Sequence, residues 1–152
     1  MKKYIGFKLV EAEPKKRRDH SYPSALGDGT PLDVVLEDGY KVTYSDGYES
    51  WSPKDVFESA YMQVGDNNTI TQELVDSMIK DVHVQTMLGK TTVVVVELVT
   101  GFTITESSSC VDPANYDEKY GAEICMEKIK DKIWYGLGFM LQAAKFGIKG
   151  GE

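Results

Sequence analysis

VHVQTMLGKTTVVVVELVTGFTITES, residues 82–107, is the stretch whose reading decides the fold. Residues 82–87 alternate apolar and polar side chains, as a strand with one buried face does. Leu88-Gly89-Lys90 is a turn, and the TTVVVVELV that follows, residues 91–99, is dense in β-branched side chains. Such density predicts a central strand covered on both faces. Thr100-Gly101 turns the chain again into FTITES, a third strand, and the short turns make the set antiparallel.

Upstream, Thr71 caps a predicted helix that carries Leu74, Val75, Met78 and Ile79 on its buried side. Downstream, Asp112-Pro113 is a cap followed by a proline at the first helical position. From there to about Phe146 apolar residues recur at helical spacing, among them Ile124, Ile129, Ile133, Leu137, Met140, Leu141 and Ala144. Gly136 and Gly138 inside this run either kink the helix or permit a close helix contact. So long a helix exceeds what a lone sheet covers. The expectation is therefore a break near Gly121, or a second subunit on the Ile129, Ile133, Leu137, Met140 face.

Further toward the N-terminus, residues 3–12 read as a first strand ending at Pro14. Lys15, Lys16, Arg17 and Arg18 follow, then a loop to about Thr30. Residues 40–44 and 48–51 form a hairpin about Ser45-Asp46-Gly47, where the glycine supplies the positive φ the turn needs. Ser52-Pro53-Lys54-Asp55 starts a short helix, with Ser52 as cap and Val56, Phe57, Ala60 and Tyr61 as its apolar stripe. Val64-Gly65-Asp66-Asn67-Asn68 reads as a linker. The expected architecture is α+β: a β-hairpin module with a short helix over 1–65, then helix, three-stranded antiparallel sheet and long helix over 67–152.

Composition narrows the function. Seventeen Lys and Arg against 24 Asp and Glu give a net charge of -7, unsuited to bulk binding of duplex nucleic acid, which needs a cationic face. The apolar run of residues 93–96 is far short of the roughly 20 residues a membrane span takes. The opening MKKYIGFKLVEAEP lacks the apolar stretch of about 7–15 residues of a secretory signal, so a soluble, cytosolic protein is expected. His20 and His83 stand in no metal-ligand spacing, and Cys110 and Cys125 have no flanking His or cation, so both cysteines read as small buried hydrophobes. No catalytic residue, metal site or cofactor is expected.

Aromatic residues crowd turns and helix entries instead: Tyr40, Tyr44, Tyr48 and Trp51 at the hairpin, Phe102 at a strand start, and Tyr116, Tyr120, Trp134 and Tyr135 near the last helix. Rings so placed can stack a base, with cations taking phosphates, or simply fill the core. Lys128 and Lys132, four apart, share one helix face.

Two stretches carry a resemblance. YIGFKLVEAEP with GYKVTYSDGYESWSPKDVFESAY resembles an N-terminal module of small phage proteins, some of which continue into the second Thoeris anti-defence domain. GFTITESSSCVDPANYDEKYGAEICMEKIKDKIW is similar to a widespread family of small tailed-phage proteins. It shares the Gly101-Phe102-Thr103 strand start, the Cys110-Val111-Asp112-Pro113-x-Asn115 turn, the glycine in the next helical stretch and the closing Ile133-Trp134. A sheet followed by long C-terminal helices also resembles the first Thoeris anti-defence proteins in outline.

The resemblance implies a phage protein in the cytoplasm of an infected bacterium. It would bind and sequester a cyclic nucleotide immune messenger, a cyclic ADP-ribose isomer or a cyclic oligonucleotide, without cleaving it, as a homo-oligomer between dimer and hexamer. Phe102 and Tyr116 would contact rings, with Thr103 beside them, Asp112 and Asn115 would meet polar edges, and Lys128 and Lys132 would hold phosphates. Asp112 and Asn115 also read as plain cap and turn residues, and both arginines, Arg17 and Arg18, lie far from the last helix. The alternative is a phage adaptor that meets a protein partner through its long helix and acidic surface.

Overall fold

A computed structural model describes residues 1–150; residues 151 and 152, the end of the expected second module, lie outside the described residues. The chain divides into two compact units, Met1–Met62 and the part from Gln63 onward.

In the first unit β1 (Glu11–Pro14), β4 (Gly39–Thr43) and β5 (Glu49–Pro53) form an antiparallel sheet in the order β1-β4-β5. A separate two-residue ladder pairs β2 (Arg17–Arg18) with β3 (Leu36–Glu37). The β4–β5 hairpin is as expected, with Gly47 at φ 86° in its turn. The first strand is not. It covers 11–14 instead of 3–12, because β4 is only five residues long and its register ends with Glu11 opposite Thr43. Tyr4 and Ile5 are left exposed.

Helix α1 (Lys54–Ala60) follows β5 directly, and Pro53, not Ser52, occupies its cap position without a side-chain hydrogen bond. Its expected apolar stripe is only half realised. Val56 is exposed, whereas Phe57 stacks between Tyr40 and Tyr61 at centroid separations of 4.3 and 4.8 Å. Trp51 is fixed by its indole N–H donating to the Lys15 carbonyl at 2.6 Å and by the Arg17 guanidinium over its ring.

In the second unit α2 (Gln72–Ser77) begins where the Thr71 hydroxyl accepts from the Leu74 amide at 3.2 Å. It leads into β6 (Ile79–Met87), β7 (Thr91–Leu98) and β8 (Thr103–Ser109), an antiparallel meander in that order. A 3-10 turn, Pro113–Asn115, and the unbroken 29-residue α3 (Glu118–Phe146) complete the unit. This is the α+β arrangement the sequence predicts.

Three expectations change here. β7 is central but not covered equally: Thr92, Val94, Val96 and Leu98 are buried, while the alternate residues are half-buried on the other face. Helices pack on one side of this sheet only, α3 over β7 and β8 and α2 beside it. The cap of α3 is Asp117, whose carboxylate accepts from the Lys119 and Tyr120 amides; Asp112 caps the preceding 3-10 turn. Finally, the face expected to meet another subunit is already used. Ile129, Ile133 and Leu137 are buried in the core with Leu74, Val75, Met78, Val94 and Val96, and Met140 is partly buried against it. The helix does not break at Gly121, because that glycine is what lets it lie flat: a Cβ there would overlap the Thr92 hydroxyl and stand 2.9 Å from the Thr92 Cβ.

Candidate functional site

The register of the sheet assigns each side chain to a face. Val82 pairs with Val96, Val84 with Val94 and Thr86 with Thr92, so these β6 residues face the helix side, and His83 faces away with Val95. On β8 the helix-side positions are Ile104, Glu106 and Ser108.

The sequence-predicted site separates into three places. Phe102 and Thr103 stand at the start of β8, with the Phe102 carbonyl accepting from the Leu98 amide at 2.8 Å and the Phe102 residue 68% exposed. Asp112, Asn115 and Tyr116 stand past the far end of the same strand. Seven residues at about 3.4 Å each put roughly 20 Å between the two groups. Lys128 and Lys132 occupy a third place, on the side of α3 above β8, where Lys128 Nζ donates to the Ser107 carbonyl at 3.5 Å and Lys132 pairs with Glu106 at 2.5 Å. The ion pair with Lys132 holds the Glu106 carboxyl below its ordinary range.

Tyr116 has a structural task. Thr86 donates its one hydroxyl proton to the Glu118 carboxylate in the first turn of α3. Tyr116 therefore donates to Thr86 at 2.6 Å, and Thr92 donates to Tyr116 at 2.9 Å. This chain of hydroxyls ties the entry of α3 to β6 and β7. Asp112 is occupied by the Ala114 amide, and Asn115 stays exposed in the turn. Cys125 is buried as expected, and burial pushes its thiol up, whereas Cys110 is only half-buried.

A feature that sequence reading missed lies at the other edge of the sheet. β6 is an edge strand of nine residues, and Val82 and Val84 on its helix side are 44% and 43% exposed. Geometry explains the gap. Three strands about 4.8 Å apart are wider than one helix about 10 Å across can cover. α3 lies over β7 and β8, and the six-residue α2 shields only the Ile79 end of β6. Lys130, paired with Asp76 of α2 at 2.9 Å, marks the side of α3 that looks toward β6, and Met126 one turn earlier shares it. The result is an apolar strip beside a row of unpaired backbone groups. The alternation Val82-His83-Val84 was the signal, but it reads equally as an ordinary half-buried strand.

Among the described residues no group of three or more His, Cys, Asp or Glu could hold a metal ion, and no helix is long and apolar enough to cross a membrane.

With this geometry in place, comparison with known proteins gives one family. Residues 70–144 match the family described as Phage protein (N4 Gp49/phage Sf6 gene 66). The matched segment runs from just before α2 through the three-stranded sheet to the last turn of α3. No curated protein and no solved structure matches the chain.

Proposed function

We propose that this chain is a phage protein that acts in the infected bacterial cell by binding, without chemistry, and takes up an extended segment of a protein partner along the open edge of β6. The observation that supports the reading is the uncovered Val82–Val84 strip on a nine-residue edge strand. Proteins guard such edges with charges, prolines or covering elements, because free amides and carbonyls recruit another strand. Here Lys80, Asp81 and a bulge guard only the start of the strand, and Val82 and Val84 beyond them are exposed. A partner strand would satisfy the backbone groups and lay alternate apolar side chains on the strip, which is the physics of strand addition. A net charge of -7 favours a segment with lysines and arginines.

Capture from phage-infected cells tests this. Wild-type chain and a Val82→Asp/Val84→Asp variant are compared, with circular dichroism confirming that the variant is folded. The reading requires a partner that the wild type retains and the variant loses by about tenfold or more, as expected when a central apolar contact is replaced by a desolvated charge. Equal retention by both refutes it.

A second reading, sequestration of a cyclic nucleotide messenger, has one observation in its favour: Lys128 and Lys132 stand side by side above β8. A phosphate there would have to displace Glu106 from Lys132. The discriminating assay incubates the protein with cyclic ADP-ribose isomers and cyclic oligonucleotides, removes free ligand, heat-denatures and identifies what is released by mass spectrometry. An intact messenger whose retention is lost in Lys128→Ala/Lys132→Ala supports this reading; nothing released rejects it.

A further inference from the structure

We propose that two copies of this chain associate through the outward faces of their α3 helices, antiparallel and centred on Gly138. This association is independent of the β6 edge. The inward face of α3 is fixed by Gly121, Cys125, Ile129, Ile133 and Leu137, all buried. The opposite face carries Asp131, Gly138 and Lys145 in one line, seven residues and two turns apart. Tyr135, Phe139 and Phe146 lie along one side of that line at 79%, 63% and 47% exposure.

Gly138 has no explanation inside the chain. A glycine weakens a helix interior relative to alanine, and a Cβ at Gly138 would meet nothing within 4 Å. Gly121 in the same helix shows what a required glycine looks like, pressed on Thr92. A glycine beside a row of exposed aromatic side chains lets a second backbone come close at that level, and the two-fold gathers the rings of both copies on one side of the contact.

Charge chooses the orientation and the register. A two-fold axis through Gly138 sets Asp131 level with the partner's Lys145, and the same axis repeats the pair with the roles exchanged. A parallel pairing would put like charges together. Among the described residues neither Asp131 nor Lys145 is in an ion pair. Within one chain Asp131 and Lys145 are fourteen residues apart, about 21 Å along the helix, and cannot reach each other. The exposed parts of the three aromatic side chains come to roughly 400 Å² per copy, about half of what one partner buries in a stable interface. The stems of the flanking charged side chains extend the contact.

The test is light scattering on the full chain at low ionic strength over a concentration series. The wild type should reach twice the 17.0 kDa chain mass. Asp131→Lys alone and Lys145→Asp alone should each weaken association by about tenfold, and the double exchange Asp131→Lys/Lys145→Asp should restore it. Gly138→Leu should remain helical by circular dichroism and be monomeric. A wild type that is monomeric throughout, a double exchange no better than its parts, or an unchanged dimer in Gly138→Leu each overturns the proposal.

Discussion

The same substitution, glycine to alanine, should have opposite effects at two positions of α3. At Gly138 an added methyl meets open space, so the change should bring only the helix-propensity gain of about 1 kcal/mol. At Gly121 the same gain is opposed. The new Cβ overlaps the hydroxyl of Thr92, a fully buried residue whose own Oγ1 is engaged with Tyr116, and stands 2.9 Å from the Thr92 Cβ. Relief requires α3 to lift by more than half an ångström from the strand on which Cys125, Ile129 and Ile133 also rest. Overpacking on this scale costs about 3 kcal/mol, leaving a net loss of about 2 kcal/mol. In a unit of this size each 1 kcal/mol moves the melting midpoint by about 4–8 °C. Thermal melts at 222 nm, in dilute solution so that association does not contribute, should show Gly138→Ala rising by about 4–8 °C and Gly121→Ala falling by about 8–16 °C. Thr92→Ala should recover part of the Gly121→Ala loss in the double variant, since the two share one contact. If Gly121→Ala is as stabilising as Gly138→Ala, the close seating of α3 on β7 is wrong.

Three further outcomes follow from the packing and the charges. Ile129→Ala empties the centre of a fully buried cluster and should cost about 2–5 kcal/mol by urea unfolding, with loss of near-ultraviolet dichroism at lower urea. Thr71→Ala removes the side-chain cap of α2 and should cost about 1 kcal/mol while leaving the spectrum unchanged. Glu106 has a folded-state pKa below its unfolded value because of Lys132. Its contribution is therefore complete above the ordinary carboxylate range and is lost as pH falls through the lowered value. Lys132→Met should raise the Glu106 midpoint toward the ordinary range in a carbon-detected NMR titration, and an unmoved midpoint would show that the pair does not form.

Much of the fold was legible because local chemistry and pattern agreed. Asp46-Gly47 between two alternating arms gave the hairpin, and Thr71 before Leu74 and Val75 gave α2. The β-branched run of residues 91–99 gave the central strand. What failed was anything set by a partner distant in sequence. The first strand is short because β4 is short, which the alternation in residues 3–12 does not reveal. Ile129, Ile133 and Leu137 suggested an oligomer face, since a thirty-residue apolar stripe looks too long for one sheet; α2 and Gly121 against Thr92 supply the missing cover. The candidate site dispersed for a similar reason. Phe102 and Tyr116 are fourteen residues apart in sequence, but an intact strand stands between them and carries them to opposite ends of the sheet. The Val82–Val84 strip was invisible because its exposure comes from the width of the sheet relative to the helix above it, not from its own residues.

Binding along β6 is most directly tested by amide hydrogen exchange on the free chain and on the complex with the partner captured from infected cells. Strand addition predicts that outward-pointing amides within Ile79–Met87 slow by about tenfold or more on binding, while those of the opposite edge strand, Thr103–Ser109, keep their rates. Protection confined to β8 or to α3, with β6 unchanged, would contradict the account.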